Sequence, residues 1–382
     1  MNFPYSRKKW LSVSLAALLL ATGSTGAFAD TTTPQAPAAA QATDSVNKIA
    51  KLTEQTAIEQ ALKTNADLVS FRLDVHTADV NARLVHAKVK DIPDSFIESL
   101  DAAQSKYVND AKVQMAKKVN ELALKALESK IKLGAQSAYY DLLNAQADLS
   151  LKKQSLKRAE TQLKVAKAKF EVGEKAKTEV LQAQAALAGA QAALAASESN
   201  LQIKRLKLNE FLGVELQTQW EIASDVKSLQ AKSMKLEDAV EQAIKTRYEI
   251  KQKEEEIKVA ELNLSLYEKY SMKATYQGMM GANELEKAKL ALEEEKRAIA
   301  VEVSKAYYDL QAALAGIEAL QKGKEASAEN YRLVNLKFEN GLATTLEVIQ
   351  AEVDLSDSEN KYQDAVLKVN LAIVNFENAL GN

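Results

Sequence analysis

The side chains that could support catalysis or metal binding are few and poorly spaced for either task. The chain has two histidines, His76 and His86, and no cysteine. On one helix these imidazoles would point about 80° apart and lie nearly three turns apart, so a single metal ion cannot join them. Without cysteine there is no disulfide, thiol nucleophile or cysteine-based metal site. These residues predict neither a metal nor a cofactor.

Carboxylates and tyrosines are more common, but their patterns indicate structure rather than chemistry. Carboxylates are interleaved with lysine at helical spacing, as in residues 251–258 (KQKEEEIK), which is typical of a solvated helix face. Tyrosine pairs occur at 139–140 and 307–308, where packing at a helix–helix contact is favoured over catalysis. The sequence contains no phosphate-binding glycine loop, serine elbow or zinc-protease helix. We therefore predict that the protein is not an enzyme.

The scarcity of helix-breaking residues predicts an all-α protein. The four prolines are Pro4, Pro34, Pro37 and Pro93, so every later residue has the backbone N–H that a helix requires. Ala, Leu, Glu, Lys and Gln dominate, as they do in long helices and coiled coils. The formal net charge of −2, from 50 basic and 52 acidic residues, provides no basic excess for binding nucleic acid.

The N-terminus has the pattern of a secretory signal peptide. Basic residues at 7–9 precede an apolar stretch at 11–21 that is too short to span a bilayer, and residues 27–29 (Ala-Phe-Ala) fit the cleavage motif. We expect cleavage between Ala29 and Asp30, and therefore export. An uncleaved N-terminal anchor is the alternative. No later stretch has the roughly 18 uninterrupted apolar residues of a transmembrane helix.

Most of the chain is an internal duplication with constant spacing. Four segments recur 168 residues later: AYYDL (138–142 and 306–310), KFE-x-G (169–173 and 337–341), EV-[LI]-QA (179–183 and 347–351) and LG (212–213 and 380–381). An ungapped repeat of this length indicates a duplicated structural unit with a turn at one fixed place. Such a unit favours a symmetric assembly over a catalytic pocket.

Each half is predicted to be a long coiled-coil helical hairpin preceded by a shorter helix. Large apolar residues recur every seven positions along the arms, which predicts knobs-into-holes packing and a left-handed supercoil. A second pair of similar segments, residues 58–64 and 240–246, precedes the two repeats at a spacing of 182 residues. The connections are expected to break the helix around Pro93 and at 275–281 (TYQGMMG). Arms this long and thin cannot bury a globular core alone, so we expect partners.

Together these motifs resemble the TolC-type outer-membrane efflux family, and the resemblance covers most of the mature chain. It implies that two duplicated hairpins per chain form a homotrimer with a twelve-helix α-barrel. It also implies two partners, a periplasmic adaptor (membrane fusion) protein and an inner-membrane transporter. The expected location is the cell envelope, at the outer membrane or in the periplasm or cell surface.

The resemblance assigns the two hairpin tips to adaptor docking. A glycine just past a helix end permits the left-handed conformation of a tight reversal, and exposed turns on rigid arms are natural docking points. The expected docking residues are Val172, Gly173, Glu174, Glu179, Val180, Asn340, Gly341, Leu342, Thr345, Glu347 and Val348.

Two departures from the family pattern bear on anchorage and docking. The family inserts membrane strands at the connections, but residues 85–106 and 269–283 lack two alternating strands of roughly 9–11 residues each. We therefore expect the β-barrel strands to be absent or vestigial. The first tip has Glu174-Lys175 after its glycine, where the family favours an apolar residue, whereas Leu342 in the second tip fits better.

These observations give a domain plan and two hypotheses. The plan consists of a signal peptide (1–29), a flexible Thr/Pro/Ala-rich linker (30–45), a first helical repeat (46–213), an inter-repeat linker (214–235) and a second helical repeat (236–382). The leading hypothesis is a passive trimeric conduit, the outer duct of an efflux or secretion system. The alternative, motivated by the missing strands, is an exported coiled-coil scaffold of the cell envelope with no transport role. The adaptor of such a pump ranks last, because adaptors carry one hairpin and β-rich domains.

Overall fold

The computed structural model describes residues 50–222, 234–271 and 274–381. The predicted signal peptide, its cleavage site at Ala29 and Asp30, and the linker at 30–45 lie outside the described residues. So do residues 223–233 of the expected inter-repeat linker.

Helices make up nearly all of the described chain, which confirms the all-α prediction. The elements in chain order are β1 (Ala50–Leu52), α1 (Glu54–Thr64), α2 (Ala66–Val89), α3 (Leu100–Ala103), α4 (Asn109–Glu171), α5 (Lys177–Leu212), β2 (Trp220–Ile222), α6 (Leu236–Thr246), α7 (Tyr248–Tyr270), α8 (Tyr276–Glu339) and α9 (Thr345–Ala379). The two short strands pair in parallel, with Ala50 opposite Trp220.

Two long hairpins, α4–α5 and α8–α9, dominate the molecule. The outgoing helices have 63 and 64 residues, a length of about 95 Å at the helical rise of 1.5 Å per residue. The return helices have 36 and 35 residues. Strong helix formers and the absence of proline sustain these lengths. In the second half, α9 also packs along α4 of the first half, so the long helices pack in the order α5, α4, α9, α8.

Both halves are closed by the same contact between the first short helix and the return helix. The hydroxyl of Thr64 donates a hydrogen bond to the carbonyl of Leu212, and that of Thr246 donates to the carbonyl of Leu380 at 2.5 Å. The glycines that follow these leucines have φ of +63° and +81°, a left-handed conformation that glycine adopts without steric cost. The short similar segment and the Leu-Gly end of each repeat therefore meet in space.

The two connections differ from each other and, in part, from expectation. Pro93 does break the first one, where α2 ends at Val89 and a 3-10 turn and a π-helical turn precede α4. The expected break at 275–281 was wrong in extent, because α8 already begins at Tyr276. Thr275 caps this helix through the N–H of Gly278. A Cβ at Gly281 would lie 2.8 Å from the Tyr267 ring, so the glycine permits close packing of α7 rather than a turn.

Two clusters of buried side chains, one in each half, lie where the return helices end, beside the middle of the outgoing helices α4 and α8. The first cluster includes Leu142 and Leu208 together with Val374 of α9. The second includes Ile299 and Phe376. No helix within the described ranges combines the length and apolar character needed to cross a membrane.

Candidate functional site: the paired hairpin tips

The two hairpin tips have the same backbone geometry. Gly173 and Gly341 have φ of +79° and +77°. In the first tip the N–H of Glu174 donates to the carbonyl of Lys169 at 2.9 Å, and in the second the N–H of Leu342 donates to that of Lys337 at 2.8 Å. This pattern is the Schellman ending of a helix, in which a left-handed glycine lets the chain reverse.

The return helices begin differently in the two tips. Thr344 caps α9 with a complete capping box: its hydroxyl accepts from the N–H of Glu347, whose carboxylate accepts from the N–H of Thr344 at 2.7 Å. These hydrogen bonds hold the pKa of Glu347 below its usual value. Ala176 stands at the start of α5 and has no side-chain cap. The first tip thus lacks the stabilisation that a polar cap supplies.

Glu179, the repeat counterpart of Glu347, accepts hydrogen bonds from the other tip instead of capping its own helix, although it also lies 3.4 Å from the ammonium of Lys175. Its carboxylate accepts from the hydroxyl of Thr345 at 2.6 Å and from the N–H of Thr345 at 3.3 Å. Partial burial acts to raise the pKa of Glu179, but these hydrogen bonds and the ammonium of Lys175 outweigh it and hold the pKa below its usual value. Thr345 is itself buried, so this link lies inside the contact between the tips.

Two lysines of the first tip enclose a phenylalanine of the second. Lys169 donates to the carbonyl of Phe338 at 2.7 Å, and Lys175 donates to that of Ala343 at 3.3 Å. Both ammonium groups lie near the face of the Phe338 ring, at 4.8 and 5.4 Å from its centroid. The ring is fully buried. Cation–π attraction and hydrogen bonds to helix-end carbonyls therefore act together across the tips.

An ion triad fixes the two hairpins farther up the arms. Arg158 of α4 lies 2.5 Å from the carboxylate of Glu352 and 3.0 Å from that of Glu359, both on α9. Ser155 donates to the other oxygen of Glu352 at 2.8 Å. Burial raises the pKa of Glu352 although Arg158 opposes the shift. Because the three groups are mostly shielded from water, losing one partner would leave an uncompensated charge.

The predicted docking residues divide into an exposed set and a buried set. Val172 and Leu342 are 71% and 79% exposed, and Glu174 and Asn340 are exposed beside them. Val180, Val348 and Thr345 are buried and support the tips from behind. The residues predicted for docking therefore include exposed residues that form the tip surface and buried residues that support it.

The contacts that join the tips were missed by the sequence analysis. The signal that could have found them is disagreement between the repeats: Lys175 stands where the second half has Ala343, Ala176 where it has Thr344, and Arg158 where it has Ala326. Within the described ranges no group of three His, Cys, Asp or Glu side chains could hold a metal ion.

Comparison with protein families matches both halves. The family model described as Outer membrane efflux protein matches residues 108–214 and 279–382, together more than half of the chain. The matched ranges contain α4, α5 and α9, all of α8 after its first three residues, and both tips. No curated protein matches the sequence.

Solved structures share the fold at low sequence identity. CusC, which undergoes conformational changes that accompany folding and transmembrane channel formation, has a TM-score of 0.72 at 15% identity over 87% of this chain and 93% of its own. The outer membrane protein VceC from Vibrio cholerae has a TM-score of 0.71 at 13% identity, with coverages of 86% and 96%. The CmeC outer membrane channel of Campylobacter jejuni has a TM-score of 0.70 at 12% identity, with coverages of 86% and 85%.

Proposed function

Because the chain belongs to the outer membrane efflux protein family, we propose that it is the outer duct of an efflux system, a passive homotrimeric conduit that docks through its hairpin tips to a periplasmic adaptor protein. Family membership makes it an exported efflux protein of the outer cell envelope. The number of copies, the docking surface and the inner-membrane transporter that supplies the energy are parts of the proposal.

The observation that carries the proposal is the pair of tips. Both hairpins turn side by side, and Lys169, Lys175 and Glu179 of the first tip bind the second. At this end Val172 and Leu342 expose apolar side chains to solvent. Exposed apolar residues on a rigid, doubly supported turn favour a protein partner. A helical adaptor tip with apolar residues at matching positions fits this surface.

A passive role is consistent with the chemistry of the chain. The sequence has no phosphate-binding loop to hydrolyse a nucleotide, so transport energy must come from a partner. The chain's contribution is a rigid wall of long helices and a tip region held by hydrogen bonds and ion pairs around the buried Phe338 ring. Opening then requires breaking hydrogen bonds and ion pairs rather than unfolding a core.

The test is complementation of an efflux defect in cells that lack the gene. We expect a fluorescent efflux substrate to accumulate in these cells and to be exported again when the wild-type chain is supplied. The double variant Val172→Asp and Leu342→Asp is expected to reach normal abundance in the envelope yet fail to restore export.

The matched control is Leu216→Asp, which places the same charge on an exposed leucine in the segment after α5, outside both tips. It is expected to restore export. If loss of the gene leaves accumulation of every compound in a broad panel unchanged, the conduit role is wrong and an envelope scaffold replaces it. If the tip variant restores export as well as wild type does, adaptor docking through these residues is wrong.

A further inference from the structure

A cavity of about 300 Å³ lies where three of the long helices meet, next to the ion triad. The side chains of Arg158 and Gln162 line it from α4, and those of Val348 and Glu352 line it from α9. The third wall is formed by α5, and Tyr331 of α8 also lines it. Cavities of this size hold small organic molecules, and a molecule bound here would contact both hairpins.

The α5 wall is built from small residues, which leaves the cavity unfilled. They recur every three or four positions, which places them on one face of the helix. They are Ala186, Gly189, Ala190 and Ala193. A Cβ added at Gly189 would meet no atom within 4 Å. The counterparts 168 residues later on α9 are larger or charged: Asp354, Asp357, Ser358 and Lys361. The open wall is therefore specific to the first repeat.

The amide of Gln162 is buried beside this cavity and lacks a partner. The residue is 8% exposed, and its Nε2 has no hydrogen-bond partner among the described residues. A buried donor that has lost water without gaining an acceptor is destabilising. Rotation about the last side-chain bond of glutamine has a broad range of low-energy angles, so the amide can turn toward an acceptor in the cavity. A ligand would therefore satisfy a group that the fold leaves unsatisfied.

The charged groups around the cavity disfavour an anion. Within the described chain, the charged residues that line it are Arg158, Glu352 and Asp357, so carboxylates outnumber cations. The guanidinium of Arg158 is already paired with Glu352 and Glu359. Burial raises the pKa of Glu352, because negative charge is poorly solvated at this place. Alanine, valine and isoleucine side chains supply much of the remaining wall, so a neutral molecule with an apolar body fits best.

We propose that this cavity is a binding site for one compact, neutral, apolar molecule that carries a carbonyl or similar hydrogen-bond acceptor. Gln162 donates to the acceptor, and the apolar body packs between the small residues of α5 and Val348 of α9. Because the bound molecule contacts both hairpins, it stabilises the arrangement in which the triad is formed. The site lies within one chain, so the inference goes beyond the proposed function and requires neither export nor a second copy.

Binding of a fluorescent probe tests the proposal. The probe is 7-amino-4-methylcoumarin, a neutral molecule whose lactone carbonyl is an acceptor. Its fluorescence anisotropy is measured as the full mature chain is added, and we expect a saturable rise at one probe per chain. The 3-acetic acid derivative of the same dye is an anion at pH 7 and should bind at least about tenfold more weakly. No saturable rise with the neutral probe, or equal affinity for both dyes, overturns the proposal.

Filling the cavity provides a matched pair of variants. Gly189→Leu places a large side chain in the open space on the α5 wall and should abolish saturable binding. Gly316→Leu is the same replacement at a glycine in the interior of α8 that also has free space around it and lies outside the cavity. It should bind the probe as wild type does. Partition of the dye into detergent is common to all variants, so equal binding by the two folded variants overturns the proposed site.

Gln162→Leu separates binding from a structural role. The variant keeps the approximate size of the side chain but removes the donor, so the affinity for the neutral probe should fall about tenfold. The stability of the ligand-free variant should equal or exceed that of wild type, because an unpartnered buried amide is gone. Unchanged affinity means that Gln162 is not the donor and overturns the proposal. None of these measurements involves export, so a negative result leaves the proposed function standing.

Discussion

The two hairpin tips have the same backbone geometry but differ in how the start of the return helix is capped. In the second tip, Thr344 and Glu347 of the tip itself cap the start of the return helix. The first tip has Ala176 at that place, and its glutamate, Glu179, binds Thr345 of the second tip. One repeat thus has a local cap, whereas the other uses the equivalent glutamate for a contact between the two repeats. The difference shows how a repeat acquires a fixed internal partner.

The largest expected effect comes from removing the triad that holds the two hairpins together. Arg158→Ala leaves Glu352 and Glu359 buried without their cation, which should lower the free energy of unfolding by about 3 kcal/mol. Chemical denaturation at pH 7 measures it. The control is Arg332→Ala, which removes an exposed pair with Glu329 and should change stability little.

The same variant should depend on pH in a defined direction. Without Arg158, the pKa of Glu352 rises further above its usual 4.5, so the folded protein binds a proton that the unfolded chain has already lost. Stability then increases as the pH falls toward about 5, and the deficit relative to wild type shrinks. A deficit that stays constant or grows over this interval would show that Glu352 does not carry the uncompensated charge.

The glycines test what the tips have in common. Gly173→Ala and Gly341→Ala each force a side chain into the left-handed region, at a cost of roughly 1–2 kcal/mol. The two losses should be similar, because both φ values and both hydrogen-bond patterns agree. Gly316→Ala, in the interior of α8 with free space around it, should instead stabilise the protein. Unequal losses of stability in the two variants would mean that backbone strain differs between the tips although their φ values agree.

The glutamates test where the tips differ. Glu179→Gln weakens a charge-assisted bond and should cost about 1 kcal/mol, with faster amide exchange at Thr345 in the opposite tip. Glu347→Gln should speed exchange at Thr344 in its own tip. Because the pKa of Glu179 lies below its usual 4.5, its contribution is present at neutral pH and is lost as the pH falls through that lowered value. Exchange at Thr345 that does not respond to Glu179→Gln would contradict the cross-tip link.

The smallest effect is expected from giving the first tip its own cap. Ala176→Thr recreates the Thr344–Glu347 pattern with Glu179 and should stabilise the start of α5 by less than about 1 kcal/mol. The gain is reduced because Glu179 would then leave Thr345. Thermal unfolding measures the net change, and amide exchange at Thr345 measures the loss. A gain in stability without any change at Thr345 would show that the two roles of Glu179 do not compete.

The sequence predicted the parts that depend on periodicity and on local backbone chemistry. Proline-free heptad arms fixed the four long helices, and the glycine of K-F-E-x-G placed both tips. The end of the second connection could not be predicted from the sequence. Gly278 and Gly281 are typical helix-breaking residues, and only the structure shows that Gly281 packs against Tyr267. Nor could the sequence predict that Lys169 and Glu179 reach another hairpin, since those contacts join residues some 170 positions apart through tertiary packing.

The central proposal is that three copies of the chain assemble into one conduit. Sedimentation of the mature protein in a mild detergent measures this most directly, because it reports the number of chains without assuming which faces meet. We expect a species with the mass of three chains. A protein that keeps the mass of one chain at every concentration would contradict it.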